Sequence, residues 1–264
     1  MQHLKRIGVF TRDNDDDVDY RLGSMSRLFA RASIETVVLA ETTEPGELDL
    51  IIALGGDGTV LRALATYPGI PVLAVNFGSL GFLTASDRND LDQVLVRLLS
   101  DDDWVEERLT LEVNYRGEAH RCVNELVIKG PTQMIDVAIT INGQTIHTAR
   151  GDGIIVGTPT GSTGYLLSTG APIISPDMDS IILKPLNEYS FSSRSILLPG
   201  SAQIELKILE QTRARDIIMV IDGGPAEAVS PGETFQISKS PVPARLVYFE
   251  SDYFFRNLKS RLRW

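Results

Sequence analysis

Gly55-Gly56-Asp57-Gly58-Thr59 stands between an apolar run, Leu48 to Leu54, and a helical pattern from Val60 to Thr66. Glycines at a strand-to-helix turn let backbone N–H groups approach phosphate oxygens closely, and a helix N-terminus adds a favourable partial charge. An aspartate in the middle of such a loop would repel a phosphate, so anion binding cannot be its only task. It suits a general base that takes a proton from a hydroxyl attacking a phosphoryl group, or a group that orients Mg²⁺. The plain alternative is a turn in which Asp57 caps the following helix. There is no G-x-x-x-x-G-K-[ST], and no G-x-G-x-x-G follows the first strand, so two commoner phosphate-binding turns are set aside.

Three other places carry polar groups in suggestive company. Asn124-Glu125 sits amid strand-like residues, where an amide and a carboxylate could each grip a sugar diol; an exposed strand edge is the plain alternative. Thr158 to Thr163 packs Pro, Gly, Ser and Thr into six positions and must be a loop. Its hydroxyls and amides suit a polar ligand, although composition alone fits an ordinary surface loop better. Asp152, between Gly151 and Gly153, reads equally well as a turn residue.

The elements that must hold these groups change character along the chain. Short apolar runs at Arg6–Phe10, Glu35–Ala40, Leu48–Leu54 and Pro71–Asn76 alternate with helical patterns at Val18–Ala32, Thr59–Thr66 and Leu91–Leu99. Apolar runs without polar alternation, separated by helices, indicate a doubly wound α/β domain whose parallel sheet is covered on both faces. After Asp101-Asp102-Asp103-Trp104 the texture becomes strand-rich, with Asn142-Gly143 as a strong hairpin signal. Many short strands separated by turn residues suggest an all-β, sandwich-like domain. The expected division is 1–103 for the α/β part and 104–249 for the β-rich part. The basic helical stretch at about 250–264 would return to pack on the first.

Composition excludes several classes. The 264 residues suffice for one large domain or two modest ones, and 43% hydrophobic with 23% charged residues is ordinary for a globular chain. A net charge of −10 and a pI near 4.8 argue against a nucleic-acid surface. The apolar stretch Ile7 to Phe10 is far too short to span a bilayer, so no membrane role and a cytoplasmic location are expected. One cysteine, Cys122, and three histidines argue against a disulfide framework or a Cys/His metal site. Asp13, Asp15, Asp16, Asp17 and Asp19 lack the Gly and closing Glu of a calcium loop and read as a solvated helix start. Asp101 to Asp103 reads as an exposed linker.

The glycine loop resembles the signature shared by NAD kinases, diacylglycerol-type lipid kinases and 6-phosphofructokinases. Three further segments narrow the resemblance to the NAD kinases. Asn76 to Thr84 (NFGSLGFLT) is similar to their N-x-G-x-L-G-F-L stretch, Asn124-Glu125 to their Asn-Glu pair, and Asp152 to Tyr165 (DGIIVGTPTGSTGY) to their D-G-x-x-x-x-T-P-T-G-S-T-A-Y run. The four segments keep the family's order across about Leu48 to Ser201.

The resemblance implies phosphorylation of the 2′-hydroxyl of the adenosine ribose of NAD, with ATP or another phosphoryl donor. Asp57 would be the catalytic base, with Gly58 beside it against the dinucleotide and Arg62 near the phosphates. Gly55, Gly56, Gly58 and Thr59 would form the donor loop, and Phe82 would pack near the adenine. Asn124 and Glu125 would hydrogen-bond the dinucleotide. Arg150, Asp152, Thr163, Gly164, Tyr165, Leu166, Leu167 and Ser168 would complete its pocket. Asp152, Tyr165 and Asn187 would act near or across a subunit boundary, which implies a homodimer or homotetramer. Mg²⁺ would be held mainly by phosphates rather than by a dedicated protein cluster. Gly164 replaces the family's usual Ala, and Asp222-Gly223-Gly224 lacks the Gln of its D-G-Q segment. Leu183 to Ser190 (LKPLNEYS) lacks the His of its T-P-I-x-x-H-S. A lipid kinase would need a hydrophobic acceptor site or basic membrane face, a non-catalytic dinucleotide sensor would find Asp57 dispensable, and a 6-phosphofructokinase would need a second α/β domain.

Overall fold

In a computed structural model, β1 (Arg6–Thr11) is followed by α1 (Asp16–Arg31), β2 (Glu35–Leu39), β3 (Leu50–Leu54) and α2 (Asp57–Thr66). Next come β4 (Val72–Asn76), the short β5 (Ser86–Asp87), α3 (Leu91–Leu99) and β6 (Trp104–Arg108). The structure describes residues 4–11, 16–39, 46–76, 81–87, 91–100, 102–190 and 193–263. Asp13, Asp15, Phe77 to Leu80 and Asp101 therefore lie outside the described residues. β1 pairs in parallel with β2 and β3, and β3 in parallel with β4. Every residue of β3 and β4 is buried, which is why Leu50–Leu54 and Val72–Val75 are unbroken apolar runs; Asn76, which ends β4, is a buried polar residue. α3 buries Leu91, Val94, Leu95 and Leu98, a helical stripe, into the core beneath this sheet.

Residues 108–243 form a second unit. One of its sheets runs β11-β10-β15-β18-β7-β8, where β7 is Leu111–Tyr115, β8 Glu118–Cys122, β10 Ile135–Ile141, β11 Gln144–Gly151, β15 Ile204–Ile208 and β18 Thr234–Lys239. The other runs β14-β13-β12-β9-β16-β17, with β9 Glu125–Lys129, β12 Gly153–Gly157, β13 Ser180–Leu186, β14 Ile196–Pro199, β16 Ile218–Ile221 and β17 Glu227–Ala228. The β10–β11 hairpin turns at Asn142 (φ 50) and Gly143 (φ 80), the positive pair that the Asn-Gly signal demands.

The main core of this unit draws on both sheets: Leu111, Val137, Leu206 and Phe235 meet Leu126, Ile154 and Leu183. The intervening residues Val127, Ile155 and Ile182 point to a second, smaller core with Leu166, Ala171 and Ile174. This explains two sequence textures. β7 and β15 alternate because one face packs, whereas β9, β12 and β13 hold consecutive apolar residues at Leu126–Ile128, Ile154–Val156 and Ile181–Leu183 because both faces do.

The chain then returns to the first unit, which comprises residues 1–107 and 244–264. β19 (Ala244–Tyr248) joins the parallel sheet beside β4, and α5 (Tyr253–Leu262) follows it. The completed sheet has the order β2-β1-β3-β4-β19-β6, with β5 also on β4. Residues 244–248 thus leave the β-rich part with which their sequence texture groups them. An apolar strand signal states burial and not the partner, and β19 finds its partner in a strand more than 170 positions earlier.

Candidate functional site

β3 delivers the glycine turn. Its last residue pairs with Val75, and Gly55 N–H donates to the Val75 carbonyl at 3.0 Å. Gly56 is the N-cap of α2 and makes no side-chain cap. Asp57 opens the helix, where the N-terminal partial charge favours an anion. Its carboxylate does not cap its own helix, which removes the plain alternative for this residue. Instead it accepts the N–H of Phe82 at 2.8 Å (Oδ2) and of Leu83 at 3.0 Å (Oδ1). An ionised carboxylate has about four acceptor positions, so capacity remains for a substrate hydroxyl. A β-carbon at Gly56 or Gly58 would meet nothing within 4 Å among the described residues, so the backbone flanking Asp57 is open to an approaching group. Arg62 is half-buried on α2. Phe82, expected beside an adenine, has a buried ring with the Arg261 guanidinium 5.6 Å from its centroid.

In the second unit, Asn124 and Glu125 enter β9 as buried polar residues, not as an exposed strand edge. Asn124 Oδ1 and Glu125 Oε2 are both buried and find no partner among the described residues, which marks them as acceptors for something else. The T-P-T-G-S-T segment folds against them. Thr158 donates its hydroxyl to the Val123 carbonyl at 2.6 Å and its N–H to the Asn124 carbonyl at 2.9 Å. Ser162 Oγ donates to the Pro159 carbonyl at 2.6 Å and accepts the Ile174 N–H at 3.0 Å. Thr158 to Ser162 is thus a buried, bonded corner and not an ordinary surface loop. A buried Arg108 donates to Thr160 Oγ1 at 3.1 Å, which adds a cation to its support. Burial, then the negative charge of Asp222, push the Glu125 carboxyl up to about 8, while the Tyr165 backbone N–H pulls it down.

Asp222, named in the sequence only as the Asp of the D-G-Q segment and given no role there, proves to be a structural centre of the site. Its Oδ2 accepts the Val123 N–H at 2.7 Å, and its Oδ1 accepts those of Asn124 at 2.6 Å and Glu125 at 3.1 Å. Asp222 itself takes a left-handed conformation, φ 50, and its N–H donates to the Glu125 carbonyl at 3.1 Å. One carboxylate therefore fixes the backbone of the whole Asn-Glu pair. The local signal is the Asp-Gly step after an apolar strand. The partners, 97 to 99 residues earlier, leave no local trace.

Arg150, Asp152, Tyr165, Ser168 and Asn187 are brought together around a 1350 Å³ depression of the second unit, with Lys129 also on its wall. Asn187 donates its amide to Asp152 Oδ2 at 2.8 Å, and Tyr165 lies 5.9 Å, ring centroid to Nζ, from Lys129. The wall mixes the cations Lys129 and Arg150 with the carboxylates of Asp136, Asp152 and Glu188 and the ring of Tyr165. Thr163 and Gly164 lead into α4 (Tyr165–Ser168), and Leu167 is half-buried. The Leu166 side chain is fully buried in the smaller core and anchors α4 there. A β-carbon at Gly164, where Ala was expected, would lie 3.0 Å from Glu125 Oε2 and 3.1 Å from Asn124 Nδ2.

Among the described residues no helix is long and apolar enough to cross a membrane. The described residues also hold no group of three His, Cys, Asp or Glu placed to bind a metal.

Residues 10–103 match the model of the ATP-NAD kinase N-terminal domain, and 123–249 that of the ATP-NAD kinase C-terminal domain. The chain is 36% identical over 244 residues to the NAD kinase of Citrifermentans bemidjiense, covering 88% of this chain and 84% of that one. It is 31% identical over 282 residues to the NAD kinase of Geobacter metallireducens, covering 99% of each. The crystal structure of an NAD kinase from Archaeoglobus fulgidus in complex with ATP superposes with a TM-score of 0.82 at 28% identity, covering 98% of both chains. Yeast NADH kinase complexed with NADH shares the fold, with a TM-score of 0.89 at 21% identity, over 100% of this chain and 89% of that one.

Proposed function

The chain belongs to the NAD kinase family and phosphorylates NAD with ATP; from that premise we propose that Asp57 is its catalytic base. Asp57 takes the proton of the adenosine 2′-hydroxyl as that oxygen attacks the γ-phosphorus. The new bond forms there, the bond from the γ-phosphorus to the β,γ-bridging oxygen breaks, and ADP leaves with the electron pair. The observation that carries this reading is the Asp57 carboxylate, held by two peptide N–H groups and flanked by Gly56 and Gly58, where a β-carbon would meet nothing within 4 Å among the described residues.

Gly55, Gly56 and Thr59 serve the phosphate donor through backbone N–H groups at the start of α2. Arg62 adds charge near the phosphates. Asn124 and Glu125, each with an unpartnered buried oxygen, grip the dinucleotide. Arg150, Asp152, Tyr165, Ser168 and Asn187 line the depression that takes the rest of it, and Thr163, Gly164 and Leu167 shape its approach. A Mg²⁺ bound with the donor's phosphates supplies neutralising charge on the phosphoryl oxygens. The two units read as a doubly wound α/β domain and a β-sandwich-like domain, a reading supported by the parallel first sheet and by a core shared between two antiparallel sheets. We further propose a cytoplasmic enzyme that works as a homodimer or homotetramer, with Asp152, Tyr165 and Asn187 near a subunit boundary.

The test is an endpoint assay of purified protein with NAD, ATP and Mg²⁺, detecting NADP with an NADP-specific dehydrogenase. Asp57→Asn should keep NAD affinity while turnover falls by about 10²- to 10⁴-fold. Full turnover in that variant would remove Asp57 as the base, and NAD binding by the unmutated protein without any NADP would favour a sensor.

A further inference from the structure

The peptide groups that hold Asp57 are themselves held from the last twenty residues of the chain. Phe82 and Leu83 turn their N–H groups toward Asp57, and the carbonyls of residues 82 to 84 face the other way. Asn257, buried on α5, donates its side-chain amide to the Thr84 carbonyl at 3.2 Å and reaches the Phe82 carbonyl at 3.5 Å. Tyr248, fully buried at the end of β19, donates its hydroxyl to the Leu83 carbonyl at 3.3 Å. Its ring stacks on Tyr253 of α5 with centroids 3.5 Å apart, which ties strand and helix into one support. The peptide between Phe82 and Leu83 thus receives Asn257 at its carbonyl and gives its N–H to Asp57 Oδ1.

Packing alone does not call for an asparagine there. Asn is a weaker helix former than Leu or Met, and a buried amide stabilises only when its partners are in place. Residues 81 to 84 belong to no strand or helix, so their carbonyls need partners from elsewhere in the first unit.

We infer that Asn257 is a positioning residue for Asp57, acting through the backbone of residues 82 to 84; the inference rests on Asp57 being the base. Tyr248 shares the task through the Leu83 carbonyl. Loss of the amide lets the N–H pair rotate, and the carboxylate then leaves its line to the hydroxyl.

The experiment compares Asn257→Leu and Tyr248→Phe, each alone and combined with Asp57→Asn, in the full chain. Asn257→Leu should lower kcat about ten-fold or more while KM for NAD and ATP and the Kd for NAD stay within about two-fold. In the Asp57→Asn background the same change should cost nothing further, because there is no base left to misplace. Unchanged kcat, a raised KM at constant kcat, or an equal loss in both backgrounds would overturn the inference. If Asn257→Leu fails to fold, Tyr248→Phe, which keeps the ring stack and removes only the hydroxyl, decides by the same criteria. Full turnover in Asp57→Asn would remove the base assignment and this inference together. An inactive Asp57→Asn with a fully active Asn257→Leu would remove this inference alone.

Discussion

Gly81 lies against the carboxylate of Asp57 so closely that a β-carbon on it would overlap Oδ1 and sit 2.6 Å from Cγ. The glycine of the N-x-G-x-L-G-F-L segment that precedes Phe82 is therefore a steric requirement of the Asp57 carboxylate, met 24 residues away in sequence. Gly81→Ala should displace the carboxylate or the 81–84 backbone. Overpacking of this kind costs roughly 1–3 kcal/mol. Thermal unfolding should show a lowered Tm, and the NADP-forming assay a lowered kcat with NAD still bound.

Gly58 is the opposite case, since a β-carbon there meets open space among the described residues. Gly58→Ala should fold at least as stably as the parent, because Ala gains up to about 1 kcal/mol over Gly inside a helix. Turnover should nonetheless fall if the space is reserved for substrate. Equal stability with equal turnover would show that the open face is not where the reaction takes place.

Asp222→Ala should strip three backbone N–H groups of their acceptor at once. Each buried donor left unsatisfied costs on the order of 1–3 kcal/mol, with the sum less than additive. The expected outcome is a clear drop in Tm together with a raised KM for NAD and a KM for ATP that changes less. An unchanged KM for NAD in folded protein would mean that the Asn124–Glu125 backbone does not need this clamp.

Glu125 gives a pH dependence of definite sign. Its folded value of about 8 lies above the ordinary 4.5, so the folded state holds the proton more tightly than the unfolded chain. Its contribution to stability is complete below about pH 4.5 and is lost as pH rises toward 8. Glu125→Gln cannot ionise, so the Tm difference, variant minus parent, should grow more positive across that window. A difference that is flat with pH would contradict a raised carboxyl at this position.

What could be read in advance follows from how far each signal reaches along the chain. The Gly55–Thr59 turn and the Asn142-Gly143 hairpin are local events, and both are where the residues put them. The apolar runs Leu50–Leu54 of β3 and Val72–Val75 of β4 report burial on two faces directly. The role of Asp222 has no local trace, because an Asp-Gly turn looks the same whether its carboxylate meets water or three backbone amides. The resemblance puts Leu166 in the pocket run, and only the second core beneath β9, β12 and β13 shows where its side chain goes. Nothing in the basic helical stretch singles out Asn257, and only the carbonyls of Phe82 and Thr84 give it a purpose.

The return of β19 to the first sheet has a consequence for the chain as it is made. The second unit, 108–243, is contiguous and has all its strands once its last residue emerges from the ribosome, whereas the first waits for residues 244 onward. Until β19 arrives, one side of the fully buried β4 lacks its neighbour and residues 82 to 84 lack Tyr248 and Asn257. A chain that stopped before β19 would carry an open, apolar sheet edge of the kind that draws aggregation and quality control. Its glycine turn would be present in sequence, but the backbone that holds the Asp57 carboxylate would not be braced. The Asp57 loop is thus made early and seated late, only after the second unit has been threaded between it and its support.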